Sequence, residues 1–367
     1  MSARADYDIV IVGAGLTGLS AANHLVKDGC DVCVFEKRPR TGGRILTQTF
    51  ANNYFDLGPA WFWDGQPLIA ALARELGATV FLQHSDGDLL FEETTGSQAT
   101  RRSMSMMEGA RRINGGFSVL TNGLAAQLPA ECLHLECEVQ AIKTDHIAND
   151  GEDLLSLQVM ANGLSKTVTA KHIVIALPPR LAATTIDLKD VVSESQRQSM
   201  LNIPTWMAGH AKAMALYDQP FWREQGLSGD AVSQRGPLVQ IHDASPADNE
   251  SGALFGFVGV PATMRKGQDT RLKQEIQQQL IRLFGEAAAN PNELWLQDWA
   301  DEVATATESD TDAPAGHPAY GTPPNLKSLQ HRNIHLAATE LVSNNGGLLE
   351  GALEAARNAV RTIRQTT

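Results

Sequence analysis

Near the start of the chain, apolar positions bunch instead of alternating. Tyr7-Asp8-Ile9-Val10-Ile11-Val12 is a nearly continuous apolar run, the pattern of a parallel strand covered on both faces. It leads through glycines into a helical pattern over Leu19–Val26 that stops near Gly29. Asp31–Phe35 then reads as a second strand, ending at Glu36. Later the spacing predicts a strand over Ala211–Leu216 and another over Ala253–Val260. A helix over Asp269–Leu283 carries Leu272, Ile276, Leu280 and Leu283 on one face and stops at Gly285. Ile334–Ala338 reads as a buried strand. Leu348, Leu349, Ala352, Leu353, Ala356, Ala359, Val360 and Ile363 form the apolar face of a closing helix. Thr79–Phe91 reads as a hairpin, and Glu92–Arg112 as a polar stretch whose Ser103–Met107 is either a loose loop or a methionine-bearing cover. Glu302–Pro324 is rich in Thr, Asp, Ala, Pro and Gly and reads as a long connection.

The first strand runs directly into Gly13-Ala14-Gly15-Leu16-Thr17-Gly18. Gly13 allows the tight turn, Gly15 lets a pyrophosphate approach the backbone, and Gly18 lets helix and strand pack closely. The helix start, at Leu16 and Thr17, offers free N–H groups to phosphate, and Glu36 is placed to accept hydrogen bonds from ribose hydroxyls. Strand, glycine loop, helix, strand and acid in that order make a dinucleotide-binding unit. Glu36 disfavours an adenosine 2′-phosphate but does not separate NAD from FAD. After it come Lys37, Arg38, Gly42, Gly43 and Arg44, which suit a second backbone approach to pyrophosphate or flavin; an exposed basic turn is the alternative.

With 367 residues, two lobes with a substantial core are expected. An apolar fraction of 43% and a charged fraction of 20% exclude a mostly disordered chain. The net charge of −12 argues against nucleic acid or an anionic membrane surface as partner. Four cysteines make no disulfide framework, and Cys30 and Cys33 fall inside an apparent strand, so a zinc or redox reading of their spacing is disfavoured. The ten histidines form no helical ligand pair, so no metal is expected, and no G-x-S-x-G marks a nucleophile. His242-Asp243 fits either a cavity position or a turn. No apolar run has the length of a membrane span and Met1–Asp6 carries no signal core, so a cytoplasmic location is expected.

Beyond Arg44, the chain resembles the flavin-containing amine oxidases, a family that includes monoamine, polyamine and L-amino-acid oxidases. Asp56-Leu57-Gly58-Pro59-Ala60-Trp61 is similar to the segment beside the flavin ring, followed by a helix over Gln66–Val80. Gly115–Gly123 resembles the return into the FAD domain, with Val139 where a backbone group meets adenine. His172–Pro179 resembles the central strand and its exit at Ala176. Lys212 with Pro220–Gly229 resembles the strand carrying the family's lysine, and Glu340, Gly347, Leu348 and Leu349 its closing flavin-binding elements. The resemblance implies an α/β fold, with a Rossmann-like FAD-binding domain of the glutathione-reductase type (1–80, 114–201, 315–367). It further implies an α+β substrate domain with a mixed sheet (81–113, 202–314). Implied chemistry is hydride transfer from an amine to FAD, with molecular oxygen as re-oxidant. Lys212 is the implied catalytic residue, holding a water at the flavin edge; on spacing alone an exposed strand lysine fits as well. Trp61, Trp63 and Leu348 are implied substrate contacts, while Trp206, Trp222, Trp295 and Trp299 read as core.

The chain also departs from that pattern. No cysteine follows Cys137, which implies non-covalent FAD. The two tyrosines that flank the amine in monoamine oxidases are absent: Leu348 holds one position, and His317-Pro318 lies near the other. Pro59 and Ala338 stand where glycines are usual. Only residues 78–114 separate the early helix from the return, where relatives carry a helical lobe over the substrate, so either the site is open or a second subunit closes it. A desaturase or renalase-like oxidase of a non-amine substrate, a flavin-binding interaction protein without turnover, and an NAD dehydrogenase are the other readings.

Overall fold

The computed structural model describes residues 5–96, 98–145, 154–248, 250–312, 314 and 316–365. Two seven-stranded sheets organise it. In the first, Tyr7–Val12 runs parallel between Val32–Phe35 and the end of the long strand Leu164–Ile175. Leu133–His134 and Ile334–Leu336 extend this parallel layer on either side. The first half of Leu164–Ile175 leaves the layer and pairs antiparallel with Leu154–Ala161, which pairs with Cys137–Asp145. This is the Rossmann-like layer with an antiparallel extension that the expected fold requires.

The apolar run explains the placement. Ile9, Val10 and Ile11 are fully buried, with separate clusters packed on the two faces of the sheet. Leu16–Lys27 covers one face, so close that a Cβ at Gly18 would lie 2.0 Å from the Gly13 carbonyl oxygen. Gly13 makes the preceding turn at φ +102°, a conformation open to glycine.

The second sheet is mixed and takes strands from two stretches of chain. Its order is Glu293–Asp298, Ala211–Tyr217, Gly252–Val258, Leu238–Asp243, Leu227–Ser233, Asp88–Glu92 and Thr100–Arg102. The last two come from the short 78–114 interval, and only Leu227–Ser233 with Asp88–Glu92 is a parallel pair. Asp269–Phe284 buries Leu272, Ile276, Leu280 and Leu283 against this sheet, ending at Gly285 as its spacing predicts.

Several local expectations change. Thr79–Phe91 is not a hairpin: Val80–Leu82 pairs with Arg111–Ile113, while Asp88–Glu92 joins the large sheet. Two strands do lie in this stretch, but a strand's own pattern carries no information about its partner. The early helix is Pro67–Glu75 and does not reach Val80. Cys30 lies before its strand, and all four cysteines are free thiols. His242 and Asp243 end a strand, not a turn. Among the described residues no helix lies between Glu75 and Ser118, none is long and apolar enough to cross a membrane, and no group of side chains could hold a metal.

Two buried carboxylates from the closing segment reach back to the start of the fold. Glu350, 2% exposed, accepts hydrogen bonds from the N–H groups of Leu68 and Ile69 at 2.8 and 3.0 Å, capping Pro67–Glu75 from a different helix. Glu340, fully buried, accepts two from Arg44 at 2.6 and 3.2 Å. Burial opposes the Arg44 charge, but the facing carboxylate outweighs it and holds the guanidinium above its usual range. Replacing Arg44 by Met strands a buried carboxylate and is expected to cost about 3 kcal/mol. Chemical denaturation of Arg44→Met should show that loss and Arg44→Lys a smaller one; an unchanged midpoint for Arg44→Met would mean the pair is immaterial.

Candidate active site

One cavity of about 340 Å³ runs from the glycine loop to the second sheet. At one end lie Gly13, Gly15, Leu16, Thr17, Glu36 and Arg38, joined by Gly42, Gly43 and Arg44. The two glycine loops touch: Gly15 and Gly42 form an isolated bridge, and a Cβ at Gly43 would lie 3.2 Å from the Gly15 Cα. Side chains are therefore excluded where a backbone must come close to a ligand. Leu16–Lys27 starts at Gly15 with no side-chain cap, and Leu349–Ile363 starts at Leu348 with none. Two helix N-termini thus open onto the cavity, each with free N–H groups and a partial positive charge.

Glu36 is 4% exposed at the end of its strand. It accepts hydrogen bonds from the N–H groups of Ala14 at 2.9 Å and Arg38 at 3.0 Å, which orient it toward the loop. An adjoining recess of about 40 Å³ shares Gly13 and Glu36 with the cavity and adds Lys37 and Val139. Uncapped helix starts, paired glycine loops and a buried acid suit the phosphates and ribose of a dinucleotide.

Gly58, Pro59, Ala60 and Trp61 form a further part of the wall, while Ala176 lies beside the first glycine loop, its carbonyl oxygen 3.0 Å from where a Cβ at Gly13 would be. The far end contains Lys212, Trp63, Gly347, Leu348 and Leu349. Lys212 lies on Ala211–Tyr217, whose residues are all buried. Its ammonium donates to the Gly58 carbonyl oxygen and sits 4.9, 5.2 and 6.0 Å from the ring centres of Phe255, Phe257 and Trp61. Burial lowers its pKa to about 8, against the opposing pull of Asp56.

Trp61 is fixed from behind. Its indole N–H donates to the Gln83 side-chain oxygen at 2.9 Å, and the Gln83 amide donates to the Asp243 carbonyl at 2.6 Å. The His242 ring meets Trp61 edge-on at 5.3 Å and is bonded to Asp230 at 2.8 Å. His242 therefore supports the wall without lining the cavity.

Of the residues expected at the cofactor, Lys37 and Val139 line only the adjoining recess, and Gly18 and Glu340 line neither space. Gly18 acts at the helix–strand contact, and Glu340 lies behind Arg44, whose charge consequently faces a carboxylate as well as the cavity. None of Met104, Met106 and Met107 lines it, so no methionine cover is present. Trp206 and Trp299 do line it and are not simply core, unlike Trp222 and Trp295. Met207, His210 and Phe257 are further wall residues that sequence reasoning passed over. Their one available signal was proximity: Trp206, Met207 and His210 lie just before Lys212, and Phe257 is paired with it across the sheet.

The sequence profile of the flavin containing amine oxidoreductase family matches residues 91–364, and that of an NAD(P)-binding Rossmann-like domain matches residues 11–76. The chain is 24% identical to a probable flavin-containing monoamine oxidase A of Dictyostelium discoideum, covering 98% of this chain and 97% of that protein. That alignment spans 454 positions, so the relative carries segments without counterpart here. Putrescine oxidase of Kocuria rosea is 23% identical over 82% of this chain and 83% of its own. Among solved structures, a triple mutant of putrescine oxidase and the cyclohexylamine oxidase of Brevibacterium oxydans IH-35A each superpose with a TM-score of 0.79 at 19% identity. Each match covers 98% of this chain and 99% of the other. With three-quarters of its length under the family profile, its Rossmann-like lobe and its cavity, the chain belongs to the flavin-containing amine oxidoreductases and is an FAD-dependent enzyme.

Proposed function

We propose that the protein oxidises an amine, using FAD in the glycine-lined part of the cavity and molecular oxygen as electron acceptor. The observation that carries this reading is Lys212: a lysine buried in an aromatic enclosure, on the wall of a cavity that begins at a dinucleotide-binding loop. When bound, the flavin supplies the redox chemistry, taking hydride from the α-carbon of a neutral amine and passing the electrons to oxygen, so that an imine and hydrogen peroxide leave.

The residues named above perform the supporting tasks. Gly13, Gly15, Gly42 and Gly43 admit the pyrophosphate to the backbone, Glu36 holds ribose, and the Leu16–Lys27 N-terminus meets the phosphate charge. Val139, beside Glu36 and Lys37 in the recess, fits the adenine end. The Leu349–Ile363 N-terminus, reached through Gly347 and Leu348, favours negative charge at the ring end. Below a pH of about 8 Lys212 is an ammonium, and its charge stabilises the negative charge that develops on oxygen as it is reduced. Among the described residues the main cavity is lined by no cysteine, and Cys137 lines only the recess at the adenine end, which supports non-covalent attachment.

Acid precipitation is expected to release all of the flavin into the supernatant, and yellow colour retained in the pellet would contradict non-covalent binding. Anaerobic mixing with primary amines should bleach the flavin absorbance. Bleaching by NAD(P)H and by no amine would overturn the amine reading. Lys212→Met should slow re-oxidation by oxygen at least about tenfold. In the native enzyme that rate should fall as pH rises through about 8, because the lysine loses its charge there, and the variant should lack this inflection. Stopped-flow traces unchanged in rate and pH profile would remove Lys212 from the mechanism.

A further inference from the structure

The turn Thr205–His210 leads into the Lys212 strand and puts Trp206, Met207 and His210 on the cavity wall. Met207 is held at φ +62°, an uncommon conformation for a residue with a side chain and one that persists only where surroundings impose it. Those surroundings are visible. The Thr205 N–H donates to the buried Asp310 carboxylate at 3.2 Å, Arg44 reaches the Trp206 carbonyl at 3.4 Å, and the His210 N–H returns to the Met207 carbonyl at 3.1 Å.

Held this way, the Trp206 ring packs 4.6 Å from that of His317 and against Gly347, where a Cβ would lie 2.9 Å from the indole. His317 lies near one of the two positions that lack the aromatic pair expected beside an amine, and Gly347 directly precedes Leu348, the other. An aromatic wall is present there after all, supplied by a third element.

The charge of the wall is as informative as its shape. Glu36 is the one carboxylate among the lining residues described, it belongs to the nucleotide end, and it is already bonded to Ala14 and Arg38. At the far end the ionisable groups are Lys212 and His210, both basic. The His210 Nδ1 is buried and has no hydrogen-bond partner among the described residues. Burial, with Arg265 and Lys212 nearby, keeps the imidazole pKa below its ordinary value, so the ring is neutral. The Lys212 ammonium already lies among the rings of Trp61, Phe255 and Phe257. A second ammonium on a substrate brought to this wall would therefore meet two basic groups and no carboxylate.

We infer that the Thr205–His210 turn determines specificity: Trp206 packs the tail of the substrate, His210 keeps an acid from that wall, and the enzyme takes amines with one nitrogen and an apolar tail while rejecting diamines. The inference rests on the amine-oxidase reading of the site, but its test is kept separate from turnover. Two amines serve as probes, cyclohexylamine methylated at its nitrogen-bearing carbon, and putrescine carrying two methyl groups on each nitrogen-bearing carbon. Neither has an α-hydrogen, so neither can be oxidised. Binding to the FAD-loaded protein is read by calorimetry and by perturbation of the flavin absorbance.

The cyclic monoamine should bind at least about tenfold more tightly than the diamine. Trp206→Ala should weaken the monoamine about tenfold and the diamine less than about threefold, and Trp206→Phe should recover most of that loss. His210→Asp should narrow the preference for the monoamine about tenfold by supplying the missing carboxylate. Equal binding of the two probes by the native protein would overturn the inference. So would equal weakening of both by Trp206→Ala, or an unchanged preference in His210→Asp. Failure of amines to bleach the flavin would instead strike the proposed oxidation, and leaves this binding comparison readable.

Discussion

The ion pair between Arg44 and Glu340 is the contact on which most of the site depends. It joins the second glycine loop to the segment that precedes the closing helix, across 296 residues of sequence. The same guanidinium reaches the Trp206 carbonyl, so one side chain registers the cofactor loop, the closing segment and the far wall together. Its bidentate geometry does what a lysine would not, since two parallel hydrogen bonds fix the angle as well as the distance between elements. A consequence is electrostatic. With Arg44 facing a carboxylate, the donors left uncommitted at this end of the cavity are chiefly backbone N–H groups and a helix N-terminus. These groups cannot move away when the cavity empties, which makes the cradle pre-organised.

At the other end, the apolar surroundings act on charge by removing water. Lys212 has a depressed pKa because it is buried among rings, and its neighbourhood offers Asp56 as partial compensation at a distance. Trp61 shows how much support one wall residue receives: Gln83 on its N–H, His242 on its edge and Phe255 at 5.1 Å. Gln83 comes from the short interval that replaces the helical lobe of relatives. What remains of that interval thus still shapes the site, as a strand and a buttress.

The cofactor half of the site was legible from sequence because each requirement there is local. The order strand, Gly13–Gly18, helix, strand, Glu36 states a backbone path and the one acid that ends it, and the structure realises it with Gly18 as a packing residue. Lys212 was legible through its buried strand together with family resemblance. Trp206, Met207 and His210 were not. They sit in an aperiodic turn, where neither a 3.6-residue nor a 2-residue repeat reports which side chains face inward. Trp206 becomes a wall only through contacts with Arg44, His317 and Gly347, none of them near it in the chain. The pairing of Val80–Leu82 with Arg111–Ile113 was hidden for a similar reason, since a strand's own alternation does not name its neighbour. Glu340 is a different case. Its position suggested a cofactor contact, whereas the geometry makes it the anchor of the residue in front of it.

Glu350 caps a helix that begins at residue 67, and the cavity takes its final wall from Leu349 and Ala352. During synthesis, the first βαβ unit emerges long before either group exists. Until the closing helix is made, the cavity lacks one of its two helix N-termini, Pro67–Glu75 lacks the carboxylate at its start, and Arg44 has no partner. A complete cavity therefore exists only once the Leu349–Ile363 helix has been made. Until then the N-terminal part has open sheet edges and an incomplete core, the condition in which association with other chains competes with folding.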